Sequence, residues 1–224
     1  MQLFARMSLG ELLATLLALA AASVSPLAFT ISASGIITMH RLGEVAILPG
    51  LVAWVFFVVL AFAMRWRRLT SAGLLALLAG VLGTLVMEVV RSIGFRVFEA
   101  MPGSLPMLIG VQLTDQFMSG PDLWSNLIEW GDHVWNGIGF AFIYIAVFGH
   151  QRWWVGVLYA MGIATAFMLS PVMDIIGAGV FGHDFAPVRF PATVYLAHIV
   201  YGAMVGWITQ RSKHAPRHFL LDLF

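Results

Sequence analysis

The run Val45–Met64, VAILPGLVAWVFFVVLAFAM, holds no charged side chain and is bracketed by Glu44 before it and Arg65, Arg67 and Arg68 after it. A helix over its 20 residues reaches ~30 Å, the hydrocarbon thickness of a bilayer. Five further windows read the same way: Leu9–Ile31 with Pro26 expected to kink it, Thr70–Gly94, Trp130–Gly149, Trp154–Gly179 and Ala192–Thr209. Composition agrees, since the 224 residues are 60% hydrophobic and 10% charged. Soluble domains carry about 25% charged residues, so this chain cannot clothe a water-exposed globule. A formal charge of +1 excludes a nucleic-acid partner, and the absence of cysteine excludes disulfides, thiolate metal sites and a cysteine nucleophile. The expected fold is therefore an all-α, polytopic membrane bundle of six transmembrane helices, with the lipid bilayer as its first partner.

Basic residues orient it. With the N-terminus inside, Arg6, Arg65, Arg67, Arg68, Arg152, Arg211, Lys213 and Arg217 fall on the cytoplasmic side and Arg41, Arg91, Arg96 and Arg189 on the other. Cytoplasmic ends attract lysine and arginine, which makes the bundle N-in and C-in, in a bacterial inner (plasma) membrane. Trp66, Trp153, Trp154 and Trp207 then mark the inner boundary, with Trp124 and Trp130 near the outer one. Arg6 followed by an apolar stretch ending in Ser23–Ser25 resembles a secretory signal, but Pro26 disfavours cleavage there and the segment reads as the first crossing.

Domain organisation follows from the spans. One transmembrane domain covers 1–224. Within it lie an N-terminal helix pair (1–69), a hairpin (70–149) interrupted by a long outer loop (96–129), and a second hairpin with a basic tail (150–224). The loop contains an amphipathic stretch, Leu105–Met118, suited to the membrane surface. The tight inner connections predict that helices two and three, and helices four and five, are neighbours. Val86-Met87-Glu88-Val89-Val90 near the outer end of the third span matches Val172-Met173-Asp174-Ile175-Ile176 near that of the fifth, and each is followed in the next span by a histidine and a glycine four residues on, His133 with Gly137 and His198 with Gly202. That pattern points to duplication of a two-helix hairpin.

Glu88, His133, Asp174 and His198 all fall in the outer half, as do His40, Glu44, Arg91, Asp132, Asn136 and Ser170, with Tyr201 three residues beyond His198. An ionisable group in hydrocarbon costs ~2.5–3.5 kcal/mol, so such residues face the bundle interior and find partners. Plainer readings exist: Glu88 and Arg91 neutralise one another, Asp132 caps a helix, and the glycines serve close packing. Imidazole and carboxylate together suit a divalent metal, zinc, iron or manganese, with Glu88, His133, Asp174 and His198 as ligands and His40, Glu44, Arg91, Asp132, Asn136, Ser170 and Tyr201 orienting them or a ligand. No recognised metal motif supports the spacing. Proton handling or binding of a small polar ligand at this outward-facing site fits the same residues. Two alternatives stand beside it: a b-type haem held by His133 and His198, and a non-catalytic accessory subunit of a larger membrane complex or a homo-oligomer. Enzymatic turnover is left open.

Overall fold

The computed structural model describes residues 7–216; Arg6 and Arg217, assigned above to the cytoplasmic flank, lie outside the described residues. The described chain is helical, without a β-strand. Among the described residues, four helical stretches are long and apolar enough to cross a membrane: Leu9–Ala33, Met39–Ala63, Arg67–Arg96 and Arg189–Arg211. The first consists of α1 (Leu9–Ala22) and α2 (Val24–Ala33), the second of α3 (Met39–Leu42), a π-helical turn at Gly43–Ile47 and α4 (Leu48–Ala63). Next come α5 (Arg67–Arg96), α6 (Leu105–Leu113), α7 (Leu123–Phe148), α8 (Trp153–Met168), α9 (Val172–Ile175) and α10 (Arg189–Arg211). Val52, Val55, Phe56, Val59 and Phe62 on α4 point outward, Phe62 with 73% of its surface exposed. A face of that kind is stable against lipid tails, not water.

Several boundaries differ from the sequence reading, each for a local reason. The first crossing breaks at Ser23, while Pro26 sits in the first turn of α2, where its missing N–H costs nothing. α3 begins at Met39, so His40, Arg41 and Glu44 lie on helix. α7 starts at Leu123, earlier than Trp130, because Asp122 and Ser125 form a reciprocal capping box. Asp132 therefore lies well inside α7 and is not its cap. The fifth predicted span, Trp154–Gly179, is a broken helix: α8 has 16 residues, ~24 Å long, and stops before Pro171, which cannot donate to a continuing helix. The amphipathic stretch expected over Leu105–Met118 is shorter, Leu105–Leu113, and packs on α7 and α3, with His40 Nδ1 donating to the Leu113 carbonyl at 2.7 Å.

Packing is set by small residues. A methyl added at Gly80 on α5 would lie 2.5 Å from the Ile138 Cα on α7, so these backbones touch. On α8 and α10, a methyl at Gly156 or Gly202 would strike the other's carbonyl oxygen. α8 thus lies against α10, and it meets its sequence neighbour α7 through long side chains, the Tyr144 and Tyr159 rings with centroids 5.5 Å apart. The two hairpins have different registers: Gly80 precedes Glu88 by eight positions, Gly156 precedes Asp174 by eighteen. At the opposite end of the bundle the buried Glu11 carboxylate accepts from the Leu69 N–H in the first turn of α5, at 3.4 Å. A carboxylate there satisfies an orphan donor and complements the helix dipole.

Candidate functional site

On α5, Glu88 and Arg91 are three residues apart and share a face, and Arg91 Nη2 donates to Glu88 Oε2 at 2.6 Å. The other oxygen, Oε1, accepts from His133 Nε2 on α7 at 2.8 Å. The Glu88 side chain is 9% exposed, those of Arg91 and His133 16% each. One buried carboxylate thus serves a guanidinium and an imidazole from two helices, the pairing an ionic group needs at low dielectric. Asp132, the residue before His133, accepts at Oδ1 from the Ser25 hydroxyl at 2.9 Å, which ties α2 to α7.

His198 donates from Nδ1 to the Val194 carbonyl one turn back on α10, at 2.8 Å, and so is held on its own helix. Tyr201, also on α10, donates to the Gly137 carbonyl at 2.6 Å. Asp174 does not join them. The break at Pro171 carries it out on α9, where it is exposed. Among the described residues no group of three His, Asp or Glu side chains is arranged to hold a metal ion, so the four expected ligands do not form one shell. For haem the difficulty is in His133, whose Nε2 is already occupied by Glu88.

A chamber of about 520 Å³ is what the predicted residues do share. His133, His198, Arg91, Asp132, Asn136, Ser170 and Tyr201 all line it. His40 and Glu44 do not: Arg41 bonds Glu44 at 2.9 Å on an exposed face, and the chamber is closed on that side by Met39, Phe29 and Thr30 instead. Along α7 the lining changes character, from Asp132, His133 and Asn136 to Phe140 and Ile143, a path of ~16 Å. Ile163, Phe167, Val194 and Ala197 add further apolar wall. Leu27 on α2 and Ala166 on α8 line the chamber and also have exposed surface.

A smaller cavity of about 210 Å³ adjoins, bordered by Glu88, Arg91, Arg96, Asn126, Glu129 and Trp130. Glu129 was missed by the sequence reading, which placed it in a loop. It is 1% exposed, and its Oε1 has no hydrogen-bond partner. Its spacing four residues before His133 becomes informative only once the capping box moves the helix start to Leu123. No known protein family, curated protein or solved structure matches the chain.

Proposed function

We propose that this is a six-crossing inner-membrane protein with both termini cytoplasmic, whose chamber binds a membrane-soluble amphipathic molecule, polar head toward Arg91, His133 and His198 and apolar body toward Phe140 and Ile143. One observation carries the reading: a cavity of about 520 Å³ has a wall along α7 that runs from polar Asp132, His133 and Asn136 to apolar Phe140 and Ile143, and its lining includes Leu27 and Ala166 from the exposed surface of a bundle whose helices are apolar enough to meet lipid. α7 belongs to the crossings although Glu129, Asp132, His133 and Asn136 dilute its hydropathy, and α8 with α9 forms the broken fifth. Arg65 in the short connection Met64–Trp66 and Arg152 in Gly149–Arg152 support assigning both connections to the cytoplasmic side.

Native mass spectrometry on protein extracted with its surrounding lipid tests this. Wild type should carry one small-molecule adduct, and Ala197→Phe, which fills the chamber, should lose it while remaining folded. Equal adducts in both proteins, or none in either, would refute the binding role and favour an accessory subunit.

Proton handling is a second reading with its own observation. Glu88 borders the smaller cavity, His133 borders the chamber, and their 2.8 Å hydrogen bond joins the two spaces. Infrared difference spectra between two pH values should then contain a carboxyl band that Glu88→Gln removes; spectra without any carboxyl or imidazole change would eliminate it.

A further inference from the structure

The chamber and the smaller cavity share three residues of their linings: Arg91 on α5, Met101 in the connection that follows it, and Pro106 in the first turn of α6. These side chains border both spaces, so the partition there is a single layer of side chains. The smaller cavity has the more polar border, with Glu88, Ser92, Arg96, Ser104 and Asn126 beside Arg91. Ser92, Arg96, Met107 and Trp130 of that border have exposed surface. A water takes about 30 Å³ of liquid volume, so about 210 Å³ among polar groups accommodates several. The cavity meets the chamber at its polar end, where His133 bonds Glu88 at 2.8 Å. Leu27 and Ala166, the chamber residues with exposed surface noted above, are apolar and their side chains offer water no hydrogen bond.

The chain is fixed on both sides of the partition. Before it, Arg189 Nη1 donates to the Phe98 carbonyl and the Ala100 N–H to the Gly94 carbonyl, each at 2.9 Å. After it, α6 rests on α7 at Gly110, where an added methyl would strike the Ser125 carbonyl oxygen, and His40 holds the Leu113 carbonyl. Met101 lies between these anchors and is 5% exposed. Its unbranched side chain has three rotatable bonds and can swing while both helices stay in place. Space is available nearby, since a methyl at Gly103 would meet nothing within 4 Å. The other two members are held: Glu88 binds Arg91 at 2.6 Å, and Pro106 is a closed ring.

We infer that the smaller cavity is a water-filled antechamber, and that Met101 is the gate through which small hydrophilic solutes reach the polar end of the chamber. This goes beyond the binding role proposed above. The adduct that tests binding is indifferent to the route of entry, so either claim can fail without the other.

The test uses the full chain in lipid nanodiscs, where buffer reaches both faces and the outcome does not depend on orientation. No native cysteine competes, so Asn136→Cys places a single thiol on the chamber wall, with Thr193→Cys as a second reporter. A charged, lipid-insoluble methanethiosulfonate should modify either thiol, followed by intact-protein mass. Adding Met101→Ala should raise the rate about tenfold, a barrier lowered by ~1.4 kcal/mol, and Met101→Trp should slow it by a similar factor. Leu27→Trp, on the apolar side of the chamber, should leave the rate unchanged. The Met101→Ala pair decides the matter even if the bulkier variant fails to fold. Rates indifferent to position 101 in both reporters, or slowed by Leu27→Trp instead, overturn the gate. Thiols that stay unmodified in the Met101→Ala background overturn it as well.

Discussion

Replacing Glu88 with alanine removes the acceptor of two ionic hydrogen bonds at once, from Arg91 at 2.6 Å and His133 at 2.8 Å. Bonds to a charged group contribute ~1.5–3 kcal/mol each, so two lost together give ~3–6 kcal/mol. Breaking a buried pair from one side costs ~3–5 kcal/mol because the remaining charge stays desolvated, and Arg91, 16% exposed, has little water to turn to. An expected loss of about 3–5 kcal/mol follows for Glu88→Ala. Glu88→Gln keeps an oxygen for His133 and should lose about half as much. The double variant Glu88→Ala/Arg91→Ala strips out both charges, so it should cost at least ~1.5 kcal/mol less than the sum of the single changes. Reversible unfolding in mixed micelles, followed by helical circular dichroism, gives all three values. Additivity within ~0.5 kcal/mol would refute the claim that these groups form one buried ionic unit.

Three further expectations concern packing, capping and topology. Gly156→Ala should cost ~1–3 kcal/mol by forcing α8 away from the Gly202 carbonyl, whereas Gly162→Ala, which meets open space on the same helix, should be neutral or mildly stabilising; equal effects in thermal unfolding would contradict the contact. The Ser125 N–H donating to Asp122 at 2.7 Å holds that carboxyl below the usual aspartate range, so its capping contribution is present at neutral pH and disappears as pH falls through the lowered value. The protection of the Ser125 amide, measured as its exchange relative to the intrinsic rate at each pH, should therefore fall on acidification in wild type and be low at all pH values in Asp122→Ala; unchanged protection in that variant would remove the cap. Because the chain contains no cysteine, single cysteines report topology: Ser34→Cys and Ser119→Cys should react with an impermeant maleimide in intact cells, Arg65→Cys and Lys213→Cys only after permeabilisation. Outside labelling at position 213 would break the six-crossing assignment.

The apolar runs were legible because length and hydropathy are properties of a stretch. Val45–Met64 needs no tertiary information to be recognised as a membrane-length helix, and Arg91, Asp132, His133, Asn136 and His198, which the sequence groups together, line one chamber. Asp174 shows where such reasoning ends. It matches Glu88 in sequence, but Pro171 two turns from the end of the predicted span interrupts the helix and moves the acid to the surface, so identical local patterns acquire different surroundings. Glu129 shows the converse. Its burial depends on a cap ten residues before Asp132 and on α6 packing across α7, and neither is visible in hydropathy. The pairing of α8 with α10 instead of α7 likewise depends on two glycines from distant segments meeting at one depth.

A cryo-electron microscopy map of the protein in native-lipid discs, at a resolution that shows side chains, tests the central claim most directly. The account predicts elongated density running along α7 inside the chamber, with its head beside Arg91, His133 and His198 and its tail beside Phe140 and Ile143. A chamber collapsed onto itself, or density whose polar end turns away from those three residues, would contradict it.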